Sequence, residues 1–392
     1  MADPGQKGAK KEVEEDFLKV LFENAIQDRA SDIHIEPHAN AAQIRFRIDG
    51  ILREKATMSM DDHEMILNRM KVLASLDIMS HPIPQDGHFE WPSSERMLDV
   101  RVSIFPTVTG EAVALRLLNR AEKLLEIKGL EMDTATAVTF RKLISRIYGM
   151  VLVTGPSGSG KTTTLYAILK ELQNKERNIM TLEDPVELRM EGIRQSQIMP
   201  DKGYTFAVGM RAILRQDPDA IMIGEIRDPD TAEYAMRASL AGRIVFSTVH
   251  ANSSVGTVAR LLDMHVERSL IAYAINGIIS KRLVRRICRA CVEQYVPEQQ
   301  YLEYFGLEAG ANFTFTKGKG CDICAGTGYI GRLGIFEVLA FDDNIRHLIT
   351  DGASTAMLQE YVEKAGLKTL KQDALEKVNA GLTTLEEVVR AV

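Results

Sequence analysis

The sequence predicts an α/β chain: a mixed N-terminal α/β domain, a parallel sheet flanked by helices, a cysteine-bearing insertion and a small helical end. Three observations predict it. From about Ala137 to Lys281, short apolar runs alternate with helical patterns, as they do when strands and crossover helices build a parallel sheet. Met150 to Thr154 (MVLVT) reads as a buried strand, and Leu165, Ile168, Leu169 and Leu172 recur at helical spacing just after it, with GPSGSGKT between them. Further on, the only four cysteines fall into two C-x-x-C pairs.

The glycine-rich stretch Gly155 to Thr162 therefore joins a strand to a helix. In that setting Gly155, Gly158 and Gly160 let backbone N–H groups turn inward around phosphate oxygens. Lys161 supplies a point charge, and Thr162 offers its hydroxyl to Mg2+. The binding set for ATP is Gly155, Pro156, Ser157, Gly158, Ser159, Gly160, Lys161, Thr162 and Thr163.

With 392 residues the chain has room for two or three domains, each with its own core. Hydrophobic residues are 45% and charged residues 26%, and no apolar run approaches the ~18 residues that cross a bilayer. Residues 1–12 carry charge where a secretory signal needs an apolar segment, which reads as a flexible lead-in on a cytoplasmic chain. Lys plus Arg total 48 against 54 acidic residues, and the net charge of -6 argues against a dedicated polyanion binder, so no nucleic acid is expected as a partner.

Residues 13–120 read as one mixed domain. A helix over Val13 to Asp28 presents Phe17, Val20, Leu21 and Ala25; strands follow at Asp32 to Ile35 and Gln43 to Ile48, and Asp49-Gly50 turns the chain into Ile51 to Arg53. A helix over His63 to Leu76 ends near Pro82, and Leu98 to Phe105 and Glu111 to Leu118 are strands. Residues 121–136 read as a linker and 137–286 as the nucleotide-binding domain, with strands at Met150 to Thr154, Asn178 to Leu182, Ala220 to Ile223 and Ile244 to Thr248. One helix starts at an Asp228 cap with Pro229 in its first turn, and Ala232, Ala235, Met236 and Leu240 line one side. This is a RecA-like plan, in which ligands collect at the carboxyl ends of the strands. Residues 287–334 hold the cysteines, and 335–392 read as small helices.

Hydrolysis needs a carboxylate that orients water from a strand end facing the loop. Glu225, in AIMIGEIRDPDTAE, fits; the plain alternative is that it only pairs with Arg227. Gly224 stands where a metal-binding aspartate often ends such a strand, so Thr162 carries more of the Mg2+ coordination through waters. Glu183, Asp184 and Glu187 follow the neighbouring strand; Glu183 is read as a catalytic carboxylate and Asp184 as a water-mediated Mg2+ ligand, against a solvated acidic turn. His250, ending the fourth strand in STVHANS, is placed to hydrogen-bond the terminal phosphate.

Cys288, Cys291, Cys321 and Cys324 are best explained as four thiolates on one structural Zn2+, because two knuckles supply four sulfurs and leave no open position for catalysis. A redox dithiol and unrelated thiols are the alternatives.

Together GPSGSGKTTTLY, TLEDPVE, GEIRDPDTAE and STVHANS resemble the four ATPase boxes of the secretion ATPase superfamily, which powers type II secretion and type IV pilus assembly. ASDIHIEP, FRIDGIL, PQDGHF and DVRVSIFPTVTGEAVALRLL resemble its N-terminal, PAS-like domain, so the likeness spans nearly the whole chain. It implies a homo-hexameric ATP-hydrolysing motor, peripheral to the inner membrane, whose two domains move against each other and act on an inner-membrane platform protein. It also implies that Arg101 and Arg116 meet the γ-phosphate. The paired knuckles resemble the assembly and secretion branch, whereas retraction ATPases of the family generally lack them. Rival readings are a retraction ATPase, a non-catalytic nucleotide-gated scaffold and a nucleic-acid-stimulated RecA-type ATPase. For the last, Lys281, Arg282, Arg285, Arg286 and Arg289 read as the basic side of a helix, one equally open to anionic membrane lipid.

Overall fold

The computed structural model describes residues 17–79, 83–93, 97–118, 126–307 and 314–392. The expected lead-in, the start of the first helix and the first part of the linker lie outside them. The chain divides into two compact units, Met1–Arg120 and Ala121–Val392.

In the first unit a helix over residues 17–27 (α1) precedes β1 (Ala30–Pro37), β2 (Ala42–Ile48) and β3 (Ile51–Met58). Then come α2 (Met60–Leu73), β4 (Gln85–Pro92), β5 (Met97–Thr107) and β6 (Gly110–Leu118). The strands form one antiparallel sheet in the order β3-β2-β1-β6-β5-β4. Asp49 and Gly50 both take positive φ, as the two central residues of a tight hairpin with right-handed strands require. Leu18 and Phe22 of α1 and Ile66 and Met70 of α2 share one core with Ile33, Ile35, Val100, Ile104 and Leu115 of the sheet. Strand β4 had no counterpart in the sequence reading. Its residues (QDGHFEWP) include only two large apolar side chains, Phe89 and Trp91, and only Phe89 is buried.

The second unit starts with α3 (Thr134–Ile144), β7 (Gly149–Thr154), α4 (Lys161–Leu172), β8 (Ile179–Glu183), β9 (Arg194–Gln197) and α5 (Phe206–Ile213). It continues with β10 (Ala220–Ile223), α6 (Pro229–Leu240), β11 (Ile244–Val249), α7 (Ser254–Asp263), α8 (Arg268–Ala274) and β12 (Ile275–Ile287). A small hairpin, β13 (Val292–Gln294) and β14 (Thr316–Gly318), flanks α9 (Gln299–Phe305). Strand β15 (Tyr329–Ala340) returns to the main sheet, and α10 (Asp343–Thr350), α11 (Thr355–Lys364), α12 (Leu370–Asn379) and α13 (Leu385–Ala391) finish the chain.

The main sheet runs β15-β12-β7-β11-β10-β8-β9. From β12 to β9 neighbours are parallel, and β15 alone runs antiparallel, on β12. Every residue of β7, β10 and β11 is buried, as helices on both faces demand. Two elements differ from the sequence reading. Ile335 to Ala340, read as helical, complete β15. Lys281 to Ile287, read as a basic helix, lie in β12, where Lys281 and Arg282 are buried inside the sheet. Alternating charge and aliphatic residues permit either period, and the burial of both strand faces decided it. The proposed polyanion-tracking stripe is therefore absent: Arg285 pairs with Glu387 at 2.5 Å, Arg286 pairs with Glu131, and only Arg289 is exposed.

The cap at Asp228 matches its sequence signal. Its carboxylate accepts from the Thr231 N–H at 2.8 Å and from the Thr231 hydroxyl at 2.7 Å, while Ala232, Ala235 and Met236 are buried; Leu240 is half exposed. Asp228→Ala should cost about 1 kcal/mol in urea unfolding, and an unchanged midpoint would remove the cap from the account.

Candidate active site

Because β7, β10 and β11 are parallel and in register, their carboxyl ends lie at one edge of the sheet. The phosphate loop leaves β7, Glu225 follows β10, and His250 follows β11. Gly155, Gly158 and Gly160 all have positive φ, at 152°, 75° and 81°, and Gly160 caps α4. A side chain at Gly155 would meet the Lys281 carbonyl at 2.4 Å, so this position needs glycine on steric as well as torsional grounds. The Ser159 hydroxyl is buried without a partner among the described residues, as an atom in an anion cradle would be.

Lys161 lies at the mouth of the loop, its ammonium donating to the carbonyls of Gly155 (2.9 Å) and Pro156 (3.0 Å). Burial lowers its pKa, Glu225 opposes that, and Arg282 adds to it. Glu225 bridges the group: one carboxylate oxygen is 2.5 Å from Arg227 and the other 3.5 Å from His250 Nε2. His250 is held below its ordinary pKa, first by burial and then by the charge of Lys161, with Glu225 opposing. The Arg227 pairing foreseen as the plain alternative is thus present, but Arg227 is largely exposed while Glu225 is mostly covered and also faces His250.

Backbone contacts hold these ends together. Thr154 Oγ1 donates to the carbonyls of Val249 (2.9 Å) and Ala251 (3.1 Å), and the Thr248 hydroxyl donates to the Gly224 carbonyl at 2.8 Å. Arg282, missed as a site residue because β12 read as a helix, donates to the Asn252 carbonyl at 2.7 Å in the segment after His250.

Glu183 and Asp184 part company. The Glu183 carboxylate is buried and accepts from Tyr166 (2.5 Å), Thr181 (2.6 Å) and Gln195 (2.9 Å), while Asp184 is exposed. Tyr166 OH also accepts from the N–H groups of Glu187 (3.1 Å) and Leu188 (3.2 Å), so it locks α4 to the segment after β8. Burial and the Glu183 charge raise the Tyr166 pKa, keeping it a neutral donor. At the start of α4, Thr162 is half-buried beside the loop, and its hydroxyl together with Glu225 and Asp184 are the oxygen donors suited to Mg2+.

Arg101 and Arg116 belong to the first unit, opposite each other on β5 and β6 and hence on one face. The row across that face reads Arg47, Asp32, Arg116, Arg101, His88, with Asp32 3.0 Å from Arg116 and 3.8 Å from Arg47.

The four cysteines converge, their sulfurs all within 4.8 Å of one another. Sγ–Sγ separations of 3.9, 3.9 and 3.7 Å match a tetrahedron with bonds of about 2.3 Å, whose sulfurs stand about 3.8 Å apart. They are far too long for disulfides. Backbone N–H groups of Cys321 and Gly328 each donate to Cys324 Sγ at 3.2 Å; although burial opposes ionisation, these donors and the neighbouring Cys321 and Cys291 thiols lower its pKa. Gly318 and Gly328 pack so closely that a Cβ on Gly318 would lie 2.1 Å from the Gly328 carbonyl, which shapes the knuckle hairpin.

The sequence profile of the family described as type II/IV secretion system protein matches residues 7–390. The chain belongs to that family. It is 43% identical over 374 residues to the type II secretion system ATPase E of Vibrio cholerae serotype O1, covering 95% of this chain and 74% of the relative. It is 42% identical over 375 residues to the type IV pilus assembly ATPase PilB of Thermus thermophilus, covering 95% of this chain and 42% of that longer relative. Among solved structures, the pilus retraction motor PilT with bound ADP matches with a TM-score of 0.62 at 26% identity, over 94% of this chain and 95% of that one. Among the described residues of this secretion-family chain, no helix is long and apolar enough to cross a membrane.

Tyr166→Phe should destabilise the second unit by about 1–3 kcal/mol in denaturant unfolding, because buried Glu183 loses a donor and the Leu188 N–H an acceptor. A change within measurement error would show that the network does not hold α4.

Proposed function

We propose that this secretion-family ATPase binds ATP in the Gly155–Thr163 loop and hydrolyses it with water oriented by Glu225, as the motor of a type II secretion or type IV pilus assembly machine. The observation that carries the reading is the meeting of the phosphate loop, Glu225 and His250 at adjacent parallel strand ends. In the mechanism, Lys161 exchanges the carbonyls of Gly155 and Pro156 for phosphate oxygens, and the loop N–H groups share the negative charge. Glu225 accepts a hydrogen bond from the attacking water and sets it in line with the terminal phosphate. His250, kept neutral by its surroundings, donates to that phosphate and senses its departure. Thr162, and through waters Asp184 and Glu225, would hold Mg2+, which would offset phosphate charge when bound. Glu183 acts through Tyr166 by fixing α4 rather than at the reacting atoms.

We further propose a homo-hexamer acting on an inner-membrane platform protein from the cytoplasmic side, with Arg101 and Arg116 as the guanidinium pair that answers the γ-phosphate. Greater identity to the secretion and pilus-assembly relatives than to the retraction motor supports the assembly or secretion role, as do the clustered cysteines. Zn2+ bound by Cys288, Cys291, Cys321 and Cys324 would cross-link the hairpin, a structural role that uses all four tetrahedral positions.

Glu225→Gln should retain ATP binding while turnover falls by at least ~100-fold in a phosphate-release assay; equal turnover in both proteins would refute the assignment. Metal analysis should find about one zinc per chain, and Cys321→Ser should lose it and lower the thermal midpoint. Folded protein without metal would end the zinc proposal.

A further inference from the structure

Strand β12 passes beneath the phosphate loop and touches both of its ends through one residue. The Lys281 carbonyl packs against Gly155. The Lys281 side chain, 3% exposed, donates from Nζ to the Gly160 carbonyl at 3.2 Å and to Thr164 Oγ1 at 3.0 Å. No carboxylate forms an ion pair with it among the described residues. From α4 it faces the Thr164 hydroxyl and the Gly160 carbonyl. From β15 it faces the Phe336 ring, 5.3 Å from Nζ to the centroid, and the charge of Arg332. From α12 it feels Lys377, which lies over the same ring and is itself paired with Asp373 at 2.6 Å. On its own strand, Arg282 is turned toward Asn252. A lysine so placed is costly unless it either sheds its proton or gains an anion nearby.

The two acceptors match the two N–H bonds of a neutral amine, and the aromatic face stands ready for an ammonium. The peptide linking Gly160 to Lys161 is trans, so holding the Gly160 carbonyl toward Lys281 points the Lys161 N–H the opposite way, into the loop where phosphate would bind. We propose that Lys281 is a positioning residue of the phosphate loop that holds Gly160 and Thr164 as a neutral amine and takes a proton from solvent as nucleotide phosphates enter. The inference rests on the nucleotide-binding reading above. The step balances: the amine lone pair forms a new N–H bond to a solvent proton, and the resulting ammonium keeps both donors and adds one positive charge behind the loop.

Burial, reinforced by Arg332 and Lys377, brings Lys281 down to about 7 in the nucleotide-free protein. A polyanion in the loop favours the charged form and raises that value, so nucleotide binding takes up protons between the two values and weakens as pH rises through that window. A rise of about one unit corresponds to uptake of about half a proton at pH 7.5 and to a loss of about sevenfold in affinity between pH 6.5 and 9. His250 also starts below its ordinary value, so its own uptake falls at lower pH and is common to parent and variant.

The test is calorimetric titration with a non-hydrolysable ATP analogue and excess magnesium, in buffers of differing ionisation enthalpy. Lys281→Gln keeps two N–H donors but cannot titrate. It should bind within a few fold of the parent at pH 7.5, take up about half a proton less, and show a flatter affinity profile above pH 7. Equal uptake in the two proteins, or parallel affinity profiles, would overturn the proposal. The parent alone provides a second check: proton uptake measured from pH 6 to 9 should peak above pH 7, and a profile confined below pH 6.5 would assign it to His250 instead. Failure of the parent to bind the analogue at any pH would instead sink the nucleotide reading itself.

Discussion

The parallel register of β12, β7, β11 and β10 is the constraint on which the second unit depends. Parallel strands deliver all their carboxyl ends to one edge, and each end here carries a polar group that would be costly anywhere else in so apolar a sheet. The phosphate loop, Glu225 and His250 are neighbours because β7, β10 and β11 are. Thr154 and Thr248, the last buried hydroxyls of their strands, then convert that adjacency into fixed geometry by bonding to the carbonyls of the next strand's exit.

Buried charge in this unit is arranged by a second rule: each group either has a full set of partners or faces the loop. Glu183 accepts from three donors, and Asp373 accepts from Lys377 and the Phe336 N–H. Glu337 of β15 accepts from the N–H groups of Ser254 and Leu370, so one edge-strand carboxylate caps α7 and α12 together. Lys161, Arg282 and Lys281 stand apart from that pattern, being basic side chains satisfied by carbonyls and hydroxyls rather than by carboxylates. All three lie against the phosphate loop or the segment after His250, where an anion would favour their charged forms. Strand β12 carries the same logic outward, since it lies under the loop at Lys281 and ends one residue before Cys288, the first of the clustered thiols.

How much was legible depended on whether a residue's role follows from its neighbours in sequence. The loop from Gly155 to Thr162, the Asp228 cap and the hairpin at Asp49-Gly50 announce themselves, because torsion and local hydrogen bonding demand those residue types within a few positions. The C-x-x-C pairs were equally plain as pairs. Strand β4 was hidden by its polarity, and β12 and β15 were read as helix because basic or mixed residues in a strand buried on both faces break the alternation that marks a half-exposed one. The same misreading concealed Arg282 and Lys281 as neighbours of the site.

By itself, the sequence determined the nucleotide loop, the order of strands and helices around it, the acidic and histidine strand ends, and the four thiols, since each is a short-range chemical requirement. Tertiary structure alone decided which of those groups meet. It gave the buried Glu183 carboxylate three donors, paired Glu225 with both Arg227 and His250, and brought the two knuckles together across 29 intervening residues. It also folded a basic stretch into the floor of the phosphate loop. The physical reason is that burial and partner choice depend on long-range packing, and those two quantities decide what a charged side chain can do.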